Sequence, residues 1–362
     1  MNTLDFINLR NKRVILNDNE LEIGSLRLNL SDELNFGEPI GNVAVKDLAE
    51  AANYYNSLTS KTCWTQLAAL TFIVTGKHQA LDWYFPITNM LNDAELSDFY
   101  RFIQEIIQHP NLDLKLKAEN KTDATAQMHA DIPFIVGGHL AEIFFYRRDI
   151  LARLLNTPRH IWLYTTPKAF EQDGGLAGGD YNHETESIQL VLSRLYEGFY
   201  GSTPGVAPFL HEFGHMLDFF NSGSGKMGDS EGLLPGLSPS DGKIYTPRAR
   251  KLFVEGKRIE LERYLKRFNN TYSENDPLPI GHPYVFQNDT EFCAGYFEMF
   301  FRNPNYFASQ NPVLYQGYTE LLGQDQRYAW KKDFDFYVME NRNFYLNSGQ
   351  KPWEPHLTIP TI

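Results

Sequence analysis

The chain has 362 residues, of which 42% are hydrophobic and 14% aromatic, enough for a large core in one big domain or two ordinary ones. Its formal net charge of -12 argues against nonspecific binding to nucleic acid or to an anionic membrane, because both require a basic surface. We therefore expect a globular protein with neither nucleic acid nor a membrane as a partner.

The N-terminal sequence MNTLDFINLRNKRVIL has no basic region followed by an apolar region and a cleavage site, so a secretory signal is not expected. The longest apolar stretch, CWTQLAALTFIV, is shorter than the roughly 20 residues that a spanning helix needs. Cys63 and Cys293 form neither a C-x-x-C pair nor a ligand spacing with histidine. These features predict a cytoplasmic protein without a transmembrane helix.

The first third of the chain combines extended and helical patterns. RVILNDNELEIGSLRLNL reads as extended, and apolar residues recur at spacings of three and four in VAVKDLAEAANYYNSL, KTCWTQLAALTFIV and DAELSDFYRFIQEII. The polar stretch 115–133, stopped by Pro133, is expected to be a linker or an exposed connection. Residues 1–130 are thus predicted to be a mixed, mainly helical region of no assigned role, folded so that it covers or extends the cleft of the next domain.

Residues 131–362 form the second predicted domain. IWLYTT and SIQLVLSRL are short and rich in apolar and β-branched residues, which predicts strands on either side of the glycine-rich loop GGLAGGDYNHET. Helices are predicted over 207–220 with Gly223 as the C-cap, over 246–268, and from Asn288 to Pro304. Strands followed by helices without strict alternation predict an α+β fold.

The helix predicted over 207–220 carries the motif HEFGH, with His211 and His215 four residues apart. Residues at i and i+4 share a helix face, so both rings can direct a nitrogen at one metal ion. The alternative is a pair of core histidines, but the apolar setting PFLHEFGHMLDFF would then bury two unpaired imidazoles. We favour a zinc site, in which the metal lowers the pKa of water to about 7 and the neighbouring Glu212 takes the proton.

A catalytic zinc ion needs a third protein ligand and an open fourth position. Asn221 stands where a short extension of this motif would have a further histidine, so the ligand is expected elsewhere. The stretch NDTEFCAGYFEMFFRNP offers Glu291 and Glu298, seven residues apart and on nearly the same helix face. Asn288 and Glu291 also match a capping box, which these residues alone favour.

These motifs resemble those of the Mlc titration factor A family of zinc metallopeptidases over residues 161–325, and locally those of the anthrax lethal factor catalytic domain. HEFGHMLD is similar to the family's HEF(A/G)H-x-(L/V)-D, and EFCAGYFEMFFRNPNYFA is similar to E-x-F-A-x-x-S-E-Y-F-F-x-x-P-x-x-F-A. IQLVLS and NPVLYQGYTELLGQD resemble the segments that flank these motifs. The resemblance implies that residues 131–362 form a zincin-like metallopeptidase domain of the gluzincin type.

The resemblance implies one zinc ion (Zn²⁺) per chain, with His211, His215 and Glu291 as ligands and Glu212 as the general base. Tyr284 falls where both related proteins have a tyrosine, and we expect its hydroxyl to stabilise the negative charge that develops on the substrate carbonyl oxygen.

Two residues depart from the pattern of the related proteins. Gly295 stands where lethal factor has a second glutamate, and Phe297 replaces a residue that is small in the family. The shape of the pocket is therefore expected to differ.

Two further carboxylates are candidates for contacts with the metal ligands. Asp218 follows His215 by three residues on the same helix face, where it would orient a ligand imidazole or hydrogen-bond at the helix end. Glu298 is expected to contact a ligand or another buried group, with a surface position as the alternative.

The function predicted on these grounds is zinc-dependent hydrolysis of peptide bonds. The partner would be a peptide or protein substrate, lying extended along SIQLVLS as the edge strand. Two alternatives stay open: a zinc-binding regulatory protein that sequesters a partner such as a transcriptional repressor, and an effector protease with one narrow target.

Overall fold

The computed structural model describes residues 14–17, 20–23, 26–29, 85–118, 131–175, 178–195, 206–219, 233–234, 246–329, 333 and 335–362. The chain divides into two compact units. The first comprises Met1–Gln108 and Gln127–Glu142, and the second comprises His109–Ala126 and Ile143–Ile362.

The first unit contains a three-stranded antiparallel sheet formed by β1 (Val14–Asn17), β2 (Glu20–Ile23) and β3 (Leu26–Asn29), within the segment predicted to be extended. Helix α1 (Asp93–Ile107) has the predicted bounds and begins at a complete capping box formed by Asn92 and Glu95. The other two predicted helical stretches, VAVKDLAEAANYYNSL and KTCWTQLAALTFIV, lie outside the described residues.

The predicted linker 115–133 is wrong at both of its ends. Strand β4 (Leu112–Lys117) takes its first residues, and helix α2 (Asp131–Phe144) takes its last. Pro133 lies in the first turn of α2, where a proline is tolerated because its missing N–H would have no partner within the helix.

The second unit is built around a four-stranded mixed sheet in the order β4–β5–β7–β6. Strands β4, β5 (Arg159–Tyr164) and β7 (Ser187–Val191) are parallel, and β6 (Gly179–Asn182) pairs antiparallel with β7 at the edge. The helices of this unit that are described in full are α3 (Arg148–Leu154), α4 (Pro167–Gln172), α5 (Leu192–Leu195), α6 (Pro208–Phe219), α7 (Pro247–Phe268), α8 (Asp289–Arg302), α9 (Pro304–Gln310), α10 (Pro312–Leu322) and α11 (Asp335–Asn347).

The structure is thus mixed α+β, as predicted, and the strands β5 and β7 and the helices α6, α7 and α8 are confirmed. The prediction that SIQLVLS forms the sheet edge is wrong, because β7 lies between β5 and β6 and is buried along its whole length. The outer strand next to β7 is β6, which lies in the segment predicted to be a glycine-rich loop. A strand is hard to recognise in this sequence because Gly179 and Asp180 have low strand propensity.

Helix α6 contacts both β6 and β7 and also packs along α8. Its apolar side chains, among them Leu210, Phe213 and Leu217, are buried in the core with Ile188 and Leu190 of β7. Among the helices of the described residues, none combines the length and apolar character that a membrane crossing requires.

Candidate metal centre

The helices α6 and α8 approach each other closely at Gly214, the fourth residue of HEFGH. A Cβ atom built on Gly214 would lie 2.9 Å from the Cα atom of Ala294 and 3.4 Å from the Cβ atom of Phe297, both on α8. Any larger residue would therefore force the two helices apart. This close approach brings His211 and His215 on α6 next to Glu291, the third residue of α8.

The start of α8 is held by two polar contacts. Asn288 is the N-cap, and its side-chain oxygen accepts a 2.8 Å hydrogen bond from the backbone N–H of Glu291. Asp289 accepts a 2.7 Å hydrogen bond from Lys257 of α7, whose side chain is fully buried. Glu291 does not return the cap contact as Glu95 does in α1, because its carboxylate points to the histidines.

The three side chains predicted as ligands converge. Oε2 of Glu291 lies 3.1 Å from Nε2 of His211 and 3.5 Å from Nε2 of His215. One ligand atom from each residue lies within 4.8 Å of the other two, so the group could hold a metal ion. Among the described residues, this is the only group of at least three histidine, cysteine or acidic side chains that lie close enough together to share a metal ion.

The carboxylates around His211 favour its protonated, positively charged form. Burial lowers the pKa of His211, but hydrogen bonds to Glu291 and Glu298 outweigh it and raise that pKa to about 10. Burial likewise opposes ionisation of Glu291, yet its hydrogen bonds to both histidines hold its pKa well below the usual range. The pKa of His215 is lowered, mainly by burial.

Glu298 lies behind His211, on the side away from Glu291. Its Oε2 atom is 3.5 Å from Nδ1 of His211, and its Oε1 atom accepts a 2.5 Å hydrogen bond from the backbone N–H of Ala207. The side chain is only 4% exposed. A carboxylate in this position favours the tautomer that carries its proton on Nδ1 and leaves Nε2 free to bind a metal.

Glu212 faces the edge of the sheet. A Cβ atom built on Gly179 of β6 would lie 3.5 Å from Oε1 of Glu212, so the carboxylate lies beside the edge strand. Burial raises the pKa of Glu212 to about 7, against the opposing charge of His211 and with help from the carboxylates of Glu291 and Asp180. Burial also raises the pKa of Asp180, whose Oδ1 atom is buried and has no hydrogen-bond partner among the described residues.

Tyr284 lies at the rim of the cluster. Its ring centroid is 6.4 Å from that of His211, and 41% of the residue is exposed, which excludes a role confined to the core. Burial of the hydroxyl and the nearby carboxylate of Glu291 raise its pKa well above the usual value.

The turn that holds Tyr284, Pro283–Phe286, has two fixed points. Nδ1 of His282 accepts a 3.2 Å hydrogen bond from the N–H of Tyr284. On the other side, a Cβ atom built on Gly295 would lie 2.5 Å from Cγ1 of Val285. Gly295 therefore lets this turn pack directly on α8.

Asp218 is 1% exposed, and its Oδ1 atom accepts hydrogen bonds from the backbone N–H groups of Leu233 and Leu234 at 3.1 and 3.2 Å. Burial raises its pKa to about 7, although the charge of Lys257 opposes the shift. Asp218 therefore ties Leu233 and Leu234 to α6.

The structure brings together the residues that the sequence singled out: His211, His215 and Glu291 in the cluster, with Glu298 and Tyr284 next to it. Two residues that matter for this arrangement were not predicted, namely Gly214 and Gly179. Gly214 carried a local signal, since a glycine inside a buried helix usually marks a close approach. Gly179 carried none, because several glycines occur in that segment.

Comparisons with known proteins add no relative: neither a scan against protein-family models nor a search of curated proteins finds a match to this chain.

Proposed function

We propose that this chain is a zinc-dependent peptidase of the gluzincin type with a zincin-like catalytic domain. The observation that carries the proposal is the convergence of His211, His215 and Glu291, with the carboxylate of Glu212 beside β6, an outer strand of the described sheet. The position of the HEFGH helix against a small mixed sheet supports it further.

The donor set fits zinc. Zinc bound at about 2.0–2.1 Å in tetrahedral geometry separates its ligand atoms by about 3.3 Å. The distances from Oε2 of Glu291 to Nε2 of His211 and of His215, 3.1 and 3.5 Å, bracket this value. When bound, zinc supplies a Lewis acid that polarises a carbonyl group and lowers the pKa of water to about 7.

The chain's own residues then have distinct parts in peptide hydrolysis. Glu212 accepts a proton from the attacking water and delivers it to the leaving amine. The hydroxyl of Tyr284 donates to the substrate carbonyl oxygen as it gains negative charge. The Glu298 carboxylate holds the Nδ1 proton of His211, which keeps Nε2 directed at the metal.

The substrate is proposed to bind as an added strand along β6. This strand is one of the two outer strands of the described sheet, and its Gly179 lies beside Glu212. An extended peptide paired with β6 would bring its backbone carbonyl groups past the general base, with main-chain hydrogen bonds that demand little of the substrate sequence.

The proposal is tested by peptide hydrolysis with the full chain, before and after removal of metal by a chelator and after zinc is added back. Glu212→Gln should keep its zinc and its thermal stability and lose turnover by about a hundredfold to ten-thousandfold. Glu255→Gln, a half-exposed glutamate of α7 paired with Arg258, is the matched control and should leave turnover unchanged. Hydrolysis that survives in Glu212→Gln, or that ignores the chelator, would contradict the proposed mechanism.

A further inference from the structure

A cleft lies apart from the histidine cluster, where the C-terminal ends of α7 and α11 meet residues 349–352. Its volume is about 580 Å³, within the range of about 300–1,000 Å³ that is typical of small-molecule sites. The residues that line it include the aromatic Tyr272, Phe344 and Tyr345 and the basic Arg267 and Lys351. None of the described residues that line the cleft is acidic.

Arg267 is the unusual member of this cleft. The residue is only 9% exposed, yet its guanidinium forms no hydrogen bond or ion pair with any described residue, and its Nε atom is buried without a partner. The guanidinium stacks on the ring of Tyr272, whose centroid lies 3.6 Å from the guanidinium carbon. Arg263, one turn earlier in α7, is bound instead to Glu260 and to the carbonyl oxygen of Gln310.

Burying a guanidinium nitrogen without a partner is unfavourable unless an anion reaches it. The carbonyl groups at the end of α7 do not serve as that partner. Those of Lys266 and Arg267 accept hydrogen bonds from the N–H groups of Thr271 and Asn270, in a turn where Asn270 has a left-handed φ of 54°. The same turn fixes the position of Tyr272 over the guanidinium.

We propose that this cleft binds an organic anion, with a carboxylate or phosphate group paired to Arg267 and an aromatic or apolar body against the neighbouring rings. The planar fork of an arginine matches either group with two parallel hydrogen bonds. Lys351, whose Nζ atom lies 4.4 Å from the ring centroid of Phe268, adds a second positive charge at the rim. An apolar body on the anion would lie against Phe344 and Tyr345, which also line the cleft.

The test is calorimetric titration of the full chain with benzoate, phenyl phosphate, inorganic phosphate and the neutral benzamide. We expect benzoate, phenyl phosphate or both to bind at least tenfold more tightly than benzamide, and an aromatic anion to bind more tightly than inorganic phosphate. Preference between the two aromatic anions identifies the head group as carboxylate or phosphate. Absence of binding by both, or equal affinity for benzamide, overturns the proposal.

Variants of α7 assign the binding to Arg267. Arg267→Met should keep or raise the melting temperature, because it removes an unpaired buried charge, and should weaken anion binding at least tenfold. Arg258→Met removes a charge that is 41% exposed and paired with Glu255 on the same helix, and should bind as the unchanged chain does. Arg267→Lys keeps the charge without the fork and should bind with intermediate affinity. Undiminished binding in Arg267→Met or in Arg267→Lys would overturn the assignment.

Discussion

Replacing Gly214 by alanine is expected to weaken metal binding more than it weakens the fold. The new Cβ atom would lie 2.9 Å from the Cα atom of Ala294, whereas carbon atoms in contact are separated by roughly 3.5–4.0 Å. The two helices must therefore separate by roughly 0.6–1 Å at this point. Such overpacking costs about 1–3 kcal/mol, offset by about 1 kcal/mol from the better helix propensity of alanine.

A shift of this size matters more at the cluster than in the core. Metal–ligand distances are held within about 0.2 Å, and Glu291 lies one turn before Ala294 on the helix that moves. We expect the zinc affinity of Gly214→Ala, measured by competition with a chelator of known affinity, to fall at least tenfold. The free energy of unfolding of the metal-free protein should fall by only about 0–2 kcal/mol.

Gly317→Ala is the matched control, because it overpacks a different helix contact. A Cβ atom on Gly317 of α10 would lie 3.1 Å from the Cδ2 atom of Phe253 on α7. This variant should keep its zinc affinity, because neither α7 nor α10 carries one of the three proposed ligands. If the two variants bound zinc equally well, the close approach of α6 and α8 would not set the ligand geometry.

Three further predictions concern single side chains around the cluster. Tyr284→Phe should lower kcat by about tenfold or more with little change in KM or zinc content, and a normal kcat would remove Tyr284 from the mechanism. Glu298→Gln should weaken zinc binding by about tenfold to a hundredfold in a chelator competition, and unchanged affinity would show that it does not orient His211. Asp218→Asn tests a pH effect in the metal-free protein. Burial raises the folded-state pKa of Asp218 to about 7, above the ordinary value of about 3.9, so its contribution to stability is complete below about pH 4 and is lost as the pH rises through 7. Asp218→Asn should remove this decline, by up to about 4 kcal/mol in chemical denaturation, and an unaltered slope would contradict the shifted pKa.

The sequence predicted the elements that have strong local patterns. Helix α1 has a capping box and apolar residues at helical spacing, and α7 begins at Thr246 and Pro247, so the bounds of both could be predicted closely. The sequence of β7 predicts a strand but not its place in the sheet, since a run of apolar residues does not reveal how many neighbours a strand has. Strand β6 was missed because its glycine and aspartate are typical of turns.

Glu291, the third member of the cluster, could not be distinguished from an ordinary capping residue by its neighbours in the sequence alone. Asn92 with Glu95 and Asn288 with Glu291 are the same pattern in the sequence, and both asparagines do cap a helix. Only the contact between α6 and α8 turns the carboxylate of Glu291 away from its cap and toward His211, which lies 80 residues earlier. A contact over that distance follows from the packing of two helices at Gly214, which no short stretch of sequence encodes.

The most direct test of the central claim is anomalous diffraction at the zinc absorption edge from crystals of the full chain. The proposed function predicts one strong peak per chain, coordinated by Nε2 of His211, Nε2 of His215 and a carboxylate oxygen of Glu291. It also predicts that the peak is absent from crystals of His211→Ala. A peak at another site, or zinc at this site without Glu291 as a ligand, would contradict the account.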